Sequence, residues 1–258
     1  MNTKLKAIQR LIDIMDELRE KCPWDKKQTL ESLRILTIEE TYELADAIIS
    51  GNKEEIKKEL GDLLLHIVFY SKIGSETNDF DLEDVANSIC EKLIYRHPHV
   101  FSDVKANTPE KVEQNWEKIK LKEKGRNKSV LEGVPTSLPA MVKANRIQDK
   151  VRAVGFDWEQ KEQVWDKVQE EILELKNEIK KMDQPKMERE FGDLLFSIIN
   201  TARLYGVNPE NALEKTNKKF IDRFNYLESK TIKQGKDLKE MSLAEMDIIW
   251  EEAKKFDK

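Results

Sequence analysis

The chain has 258 residues, 37% of them charged and only 7% aromatic, and its formal net charge is −5. Acidic and basic residues alternate along its length, which excludes the basic surface that nucleic-acid binding requires. The longest apolar run, around Leu63–Tyr70, is too short to span a bilayer, and Met1-Asn2-Thr3-Lys4 lacks the apolar core of a signal peptide, so a soluble cytoplasmic protein is expected. Cys22 and Cys90 match no metal or redox spacing, and no disulfide is expected between them. Amphipathic segments rich in Leu, Ile, Glu and Lys predict an all-α fold.

In chain order, apolar residues at helical spacing predict a helix over 4–21, ended by Cys22-Pro23-Trp24-Asp25. A short helical piece follows from Thr29. Thr37-Ile38-Glu39-Glu40 then reads as a capping box that opens a new helix. Ser50-Gly51-Asn52 is a turn between two helices, an αα-hairpin. A further helix runs from Asp79 or Asp81 to Tyr95 and stops at Arg96-His97-Pro98, because the residue before proline is pushed out of the helical region. Thr108-Pro109-Glu110 starts another, with proline at the first position. The stretch around 125–139 is rich in Gly, Pro, Ser and Thr and reads as a linker. Beyond it the order recurs: a helix over 138–153, a break at Gly155-Phe156-Asp157-Trp158, a helix, a turn at Asp183-Gln184-Pro185, a return helix, a helix from Asn208-Pro209, and a last one capped by Ser242. The boundaries adopted are a first domain over 1–124, a linker over 125–138 and a second domain over 139–258.

The recurrence extends to single residues. Glu39, Glu40, Glu43, Glu59 and Asp62 reappear as Glu170, Glu171, Glu174, Glu190 and Asp193, all at an offset of 131. Within each hairpin the acids are spaced i,i+3 on each helix, which places them on one face. Glu43 and Glu59 are equidistant from Gly51, as are Glu40 and Asp62, so an antiparallel pair brings them level. Converging carboxylates repel one another unless a cation lies between them. Gly61 and Gly192 precede the aspartates, and a mid-helix glycine kept in both copies suggests a close backbone approach there.

Two further pairs recur. Lys92 and Arg96 match Lys219 and Arg223, and Trp116 and Lys120 match Trp250 and Lys254. Acids for a metal ion, bases for phosphate and an aromatic ring for a base form a kit for a metal-bound nucleotide. Trp24, Trp158 and Trp165 are read as core residues. All convergent ligands are carboxylates, and such hard oxygens suit Mg²⁺ or, in its place, Mn²⁺. His66 follows Asp62 by four residues, but its counterpart is Ser197, so it is read as helix packing, and His97 and His99 as structural parts of their turn.

The paired EExxE and ExxD motifs, the strings CPWD, RHPHVF, GFDW and ELGDLL, and the tandem duplication together resemble the MazG family of two-domain nucleoside triphosphate pyrophosphohydrolases. The resemblance implies two tandem all-α bundles that form a homodimer, each built around an acidic hairpin. It implies Mg²⁺-dependent hydrolysis of an NTP or dNTP to monophosphate and pyrophosphate, serving nucleotide-pool cleansing or alarmone control. On that likeness Glu171, Glu174, Glu190 and Asp193 hold metal, and Glu170 or Glu171 orients the attacking water. Lys219 and Arg223 contact phosphate, Trp250 contacts the nucleotide, and Lys254 is a further contact. Lys167 and Lys186 lie four residues before Glu171 and Glu190, where the first copy has Leu36 and Glu55. These extra cations favour the second copy as the main catalytic site. A base-specific enzyme of the same fold, acting on dUTP, dCTP or phosphoribosyl-ATP, and a non-catalytic nucleotide-binding regulatory dimer remain open on sequence alone.

Overall fold

The computed structural model describes residues 2–102, 108, 111–112, 115–116, 119, 129–158, 160–233, 235 and 237–256. Among them there is no strand. The chain divides into two compact units, Met1–Lys120 and Leu121–Lys258.

In the first unit, α1 (Thr3–Lys21) leads through a one-turn 3₁₀ segment, Asp25–Lys27, into α2 (Leu30–Ser50). The Cys22–Asp25 break is pinned by Arg19, which pairs with Glu76 through two bonds (2.8 and 2.9 Å) and donates to the Asp25 and Gln28 carbonyls. Thr29 caps α2 in a reciprocal box with Ser32, and the helix runs unbroken to Ser50. The expected second start at Thr37 is therefore not there. The Thr37 hydroxyl bonds back to the Leu33 carbonyl (3.0 Å) and meets the Tyr70 hydroxyl (2.6 Å), a use of mid-helix threonine that mimics a cap in sequence.

Gly51 then takes a left-handed conformation (φ 70°) and Asn52 caps α3 (Lys53–Glu76). α2 and α3 pack along their length, and α1 packs on α3. Met15, Leu33, Val68 and Phe69 form the core, flanked by Leu11, Ile12, Leu36, Leu65 and Ile73. Gly74 lets the chain after α3 fold back: a Cβ there would lie 2.7 Å from the Phe80 carbonyl oxygen. α4 (Leu82–Arg96) starts at an Asp81–Asp84 capping box and is followed by the one-turn α5 (Pro98–Phe101). Further on, Thr108 accepts from the Lys111 amide (3.3 Å), as a helix cap does. Both cysteines are free.

The second unit repeats the plan. α6 (Ala140–Arg152) holds the segment before it through Lys143 to the Thr136 carbonyl (2.6 Å) and Lys150 to the Val130 carbonyl (3.3 Å). The Gly155–Trp158 break is fixed by Arg203, which grips Asp157 with two bonds (2.6 and 3.1 Å). α7 (Gln163–Lys181) and α8 (Gln184–Leu204) form the second hairpin. Its left-handed residue is Met182 (φ 55°), and Asp183 caps α8 with Pro185 in the first turn. α9 (Pro209–Lys233) and α10 (Leu243–Ala253) pack together, and Ser242 caps α10 in a box with Glu245. Val164, Val168, Leu175, Ile199, Leu227, Ile249 and Ala253 are buried.

Two expectations about these elements are corrected. A Cβ on Gly61 or Gly192 would meet nothing within 4 Å, so neither glycine permits a close approach within the chain. Trp24, Trp158 and Trp165 are 56%, 41% and 50% exposed and are not core residues.

Candidate metal and nucleotide site

Each hairpin focuses three carboxylates. In the first unit one oxygen from each of Glu40, Glu43 and Glu59 lies within 4.8 Å of the others. In the second unit Glu171, Glu174 and Glu190 do the same. The helix spacing puts two acids on the outgoing helix and one on the return helix, at heights fixed by the turn. Asp62 and Asp193 stand outside these groups of three but act on them by charge. Glu39 and Glu170 also stand outside them, exposed to solvent.

The clusters are not copies in every detail. In the first unit the buried acid is Glu59, on the return helix, and exposed Lys58 pairs with it at 2.9 Å. In the second unit the buried acid is Glu171, on the outgoing helix, and Lys167 bridges it (2.7 Å) to Glu170 (3.0 Å). These bonds hold the Lys167 ammonium well above its ordinary pKa, Glu171 contributing most. Burial first, then the charges of Asp62, Glu43 and Glu59, raises the pKa of Glu40. In the second unit the raised carboxyl is Glu190, again by burial first and then by Glu174, Asp193, Glu171 and Glu178.

One oxygen of each of Glu59, Glu171, Glu178 and Glu190 is buried with no hydrogen-bond partner. An unpaired buried carboxylate oxygen is costly, and a divalent cation would satisfy it. The residues therefore fit such an ion, and the all-oxygen donor set of the second unit fits a hard one.

Other expected residues fall differently. Lys186 pairs with Asp183 (2.9 Å), not with Glu190. Lys254, just past the end of α10, pairs with Glu251. Arg223 lies over the Trp250 ring (5.7 Å), and the Phe220 ring packs against that of Trp250, 4.9 Å between centroids. Lys219 is exposed on that helix. In the first unit Lys92 is exposed, Arg96 half-buried, and the Trp116 ring sits 5.4 Å from that of His97. His97 bonds the Leu93 carbonyl (2.7 Å), the structural use expected of it. Lys120 lies outside the described residues.

Sequence reasoning passed over two residues. Lys58 gives the first cluster its own cation, which the comparison at i−4 spacing did not test. Glu178 follows Glu174 by four residues on the same face, and its counterpart is the buried Ala47. That i+4 spacing was the available signal.

An all-helical chain with two hairpins, each holding a carboxylate cluster suited to a divalent ion, has the make-up of a metal-binding helical protein. The sequence profile of the MazG nucleotide pyrophosphohydrolase domain matches twice, over residues 28–101 and 159–227. The chain is 45% identical over 249 residues to the nucleoside triphosphate pyrophosphohydrolase/pyrophosphatase MazG of Thermotoga maritima, covering 95% of each chain. It is 41% identical over 258 residues to the nucleoside triphosphate pyrophosphohydrolase of Escherichia coli K12, covering 97% of this chain and 98% of that one. It is also 44% identical over 245 residues to the protein YabN of Bacillus subtilis, covering 93% of this chain and 50% of that one. The chain belongs to the MazG family.

Proposed function

We propose that the chain hydrolyses nucleoside triphosphates to nucleoside monophosphate and pyrophosphate, using Mg²⁺ or, in its place, Mn²⁺, and that the second unit does most of this work. Family membership supports the activity. The observation that carries the site is the Glu171–Glu174–Glu190 group, with a buried unpaired oxygen on Glu171 and Lys167 bound beside it.

Glu171, Glu174, Glu190 and Asp193 would hold the ion, which when bound supplies positive charge to the triphosphate and acidifies a water. Glu190, whose carboxyl is held above its ordinary pKa by burial and by neighbouring acids, would serve the ion as a carboxylate ligand. Glu170, exposed at the cluster's edge and fixed by Lys167, orients the attacking water, with Glu171 as the other candidate. Water attacks the α-phosphorus, and the bond to the bridging oxygen breaks, releasing pyrophosphate. Lys219 and Arg223 neutralise phosphate charge, and Trp250 with Phe220 gives the base a stacking surface. Lys186 and Lys254 reach phosphate only by leaving the acids they now hold, Asp183 and Glu251.

We assign a first domain to 1–124, a linker to 125–138 and a second domain to 139–258, the first domain supporting fold, association or regulation. Lys92, Arg96, Trp116 and Lys120 are its equivalents of the nucleotide contacts.

The test is to incubate the full chain with each NTP and dNTP and Mg²⁺ and to chromatograph the products. Monophosphate and pyrophosphate from several bases are expected. Turnover of a single base supports a narrow enzyme, and diphosphate with orthophosphate would overturn the assignment to the α-phosphorus.

We also infer that the chain forms a homodimer. α4 has no buried residue, and Val85, Ile89 and Leu93, spaced i,i+4,i+8, are 37%, 44% and 44% exposed. An exposed apolar stripe of this kind marks an association face.

A further inference from the structure

The buried glutamate of each cluster is held in the same way, by a lysine from a different place in the sequence. Glu171 is 5% exposed; its Oε1 pairs with the Lys167 ammonium at 2.7 Å, and its Oε2 is buried with no hydrogen-bond partner. Glu59 is 2% exposed; its Oε1 pairs with the Lys58 ammonium at 2.9 Å, and its Oε2 is likewise buried without a partner. The tandem repeat does not supply this likeness. At the offset of 131, Lys167 corresponds to Leu36 and Lys58 to Arg189.

Lys167 stands at the edge of its cluster. Its ion pairs go to Glu171 and Glu170, and Glu170 lies outside the group formed by Glu171, Glu174 and Glu190. A lysine filling the place of an ion would instead bridge acids of that group. The Lys167 side chain is partly exposed, whereas that of Glu171 is not. Leaving one carboxylate oxygen buried and bare is costly, and a cation relieves that cost. Carboxylates that ligate metal ions are themselves hydrogen-bonded from outside the coordination shell, which fixes their orientation.

We propose that Lys167 is a positioning residue for the metal site: it holds Oε1 of Glu171, presents Oε2 to the ion as a single-oxygen ligand, and stays in place when the ion binds. Lys58 does the same for Glu59 in the first unit. This rests on the reading that the clusters hold divalent cations. Single-oxygen ligation suits the small octahedral shell of Mg²⁺, whereas a two-oxygen grip suits the wider shell of Ca²⁺. The same ammonium ties Glu170, the residue assigned to orient water, to a metal ligand.

The test is Mn²⁺ titration of the full chain carrying Glu40→Gln and Glu43→Gln, which weaken the first cluster and leave the second unaltered. On this background Lys167→Met is expected to weaken Mn²⁺ binding by about 10–100-fold, and Lys167→Arg to restore most of it. The sign decides the matter, because loss of a positive charge beside the acids would by itself tighten cation binding. Lys186→Met removes a charge paired outside the group and is expected to leave binding unchanged or tighter. Equal or tighter binding by Lys167→Met overturns the proposal and makes the ammonium a stand-in that the ion displaces. A second measurement keeps the native lysine: the ¹⁵N ammonium resonance of Lys167, assigned by its loss in Lys167→Arg, is expected to persist at saturating Mg²⁺. Its disappearance when Mg²⁺ is added overturns the proposal too. If the Glu40→Gln, Glu43→Gln chain binds no Mn²⁺ at all, the second cluster is not a cation site and the proposal falls with that reading.

Discussion

Glu40 and Glu190 hold their protons more tightly than a free carboxyl, for the same reason in each unit: partial burial among other acids. The ordinary value is 4.5, and the folded value is raised above it in both cases. Such a group contributes stability that is present below the unfolded pKa and is lost as the pH rises through the folded pKa. Acids lowered by a cation, such as Glu76 beside Arg19, have the opposite sign and lose stability as the pH falls. The difference between the wild-type chain and a Glu40→Gln, Glu190→Gln variant therefore isolates the clusters. In EDTA, the wild-type Tm is expected to fall relative to the variant as the pH climbs from about 4.5, and Mg²⁺ is expected to restore it at the upper end. Parallel Tm curves for the two chains would contradict the clustering. The positions of these acids were legible in the sequence through their repeat. Which acid is buried was not, because Glu59 in one unit and Glu171 in the other depend on how each helix rolls against its neighbours.

At the scale of elements, the two hairpins turn differently. Gly51 occupies the left-handed region without strain, whereas Met182 does so with a side chain that is 77% exposed. Urea unfolding is expected to show Gly51→Ala lowering stability and Met182→Gly raising it, each by about 1 kcal/mol. Ser50-Gly51-Asn52 could be read as a turn because glycine and asparagine are chosen for that geometry. Met182 carries no such mark, and the turn was read one residue late, at Asp183-Gln184-Pro185, where Asp183 caps α8 and Gln184 and Pro185 already belong to it. The same limit explains the false helix start at Thr37. A Thr-x-x-Glu string caps a helix only if the chain before it leaves the helical region, and here Thr29 with Ser32 had already started one.

For the whole molecule, the tandem plan was legible from the offset of 131, since five acids do not repeat in register by composition alone. The apolar surface was legible only as helical stripes, with nothing to say which stripe meets a neighbour within the unit. Exposed Ile89 and Leu93, the exposed Trp24 and the open space at Gly61 and Gly192 all lie on surfaces the single chain does not cover. Light scattering on the eluting protein is expected to give twice the 30.2 kDa chain mass, and Ile89→Asp with Leu93→Asp to give the chain mass itself. An unaltered mass for that variant would move the association face elsewhere.

The division of labour between the units is the claim on which most depends. It rests on the Lys167 bridge, the extra carboxylate of Glu178 and the Arg223–Trp250–Phe220 group, all in the second unit. The most direct measurement compares pyrophosphate release by full chains carrying Glu174→Gln or Glu43→Gln under saturating NTP and Mg²⁺. Glu174→Gln is expected to reduce the rate by on the order of 10²-fold or more, while Glu43→Gln leaves most of it. Loss of activity in Glu43→Gln with activity retained in Glu174→Gln would show that the first unit is the catalytic one.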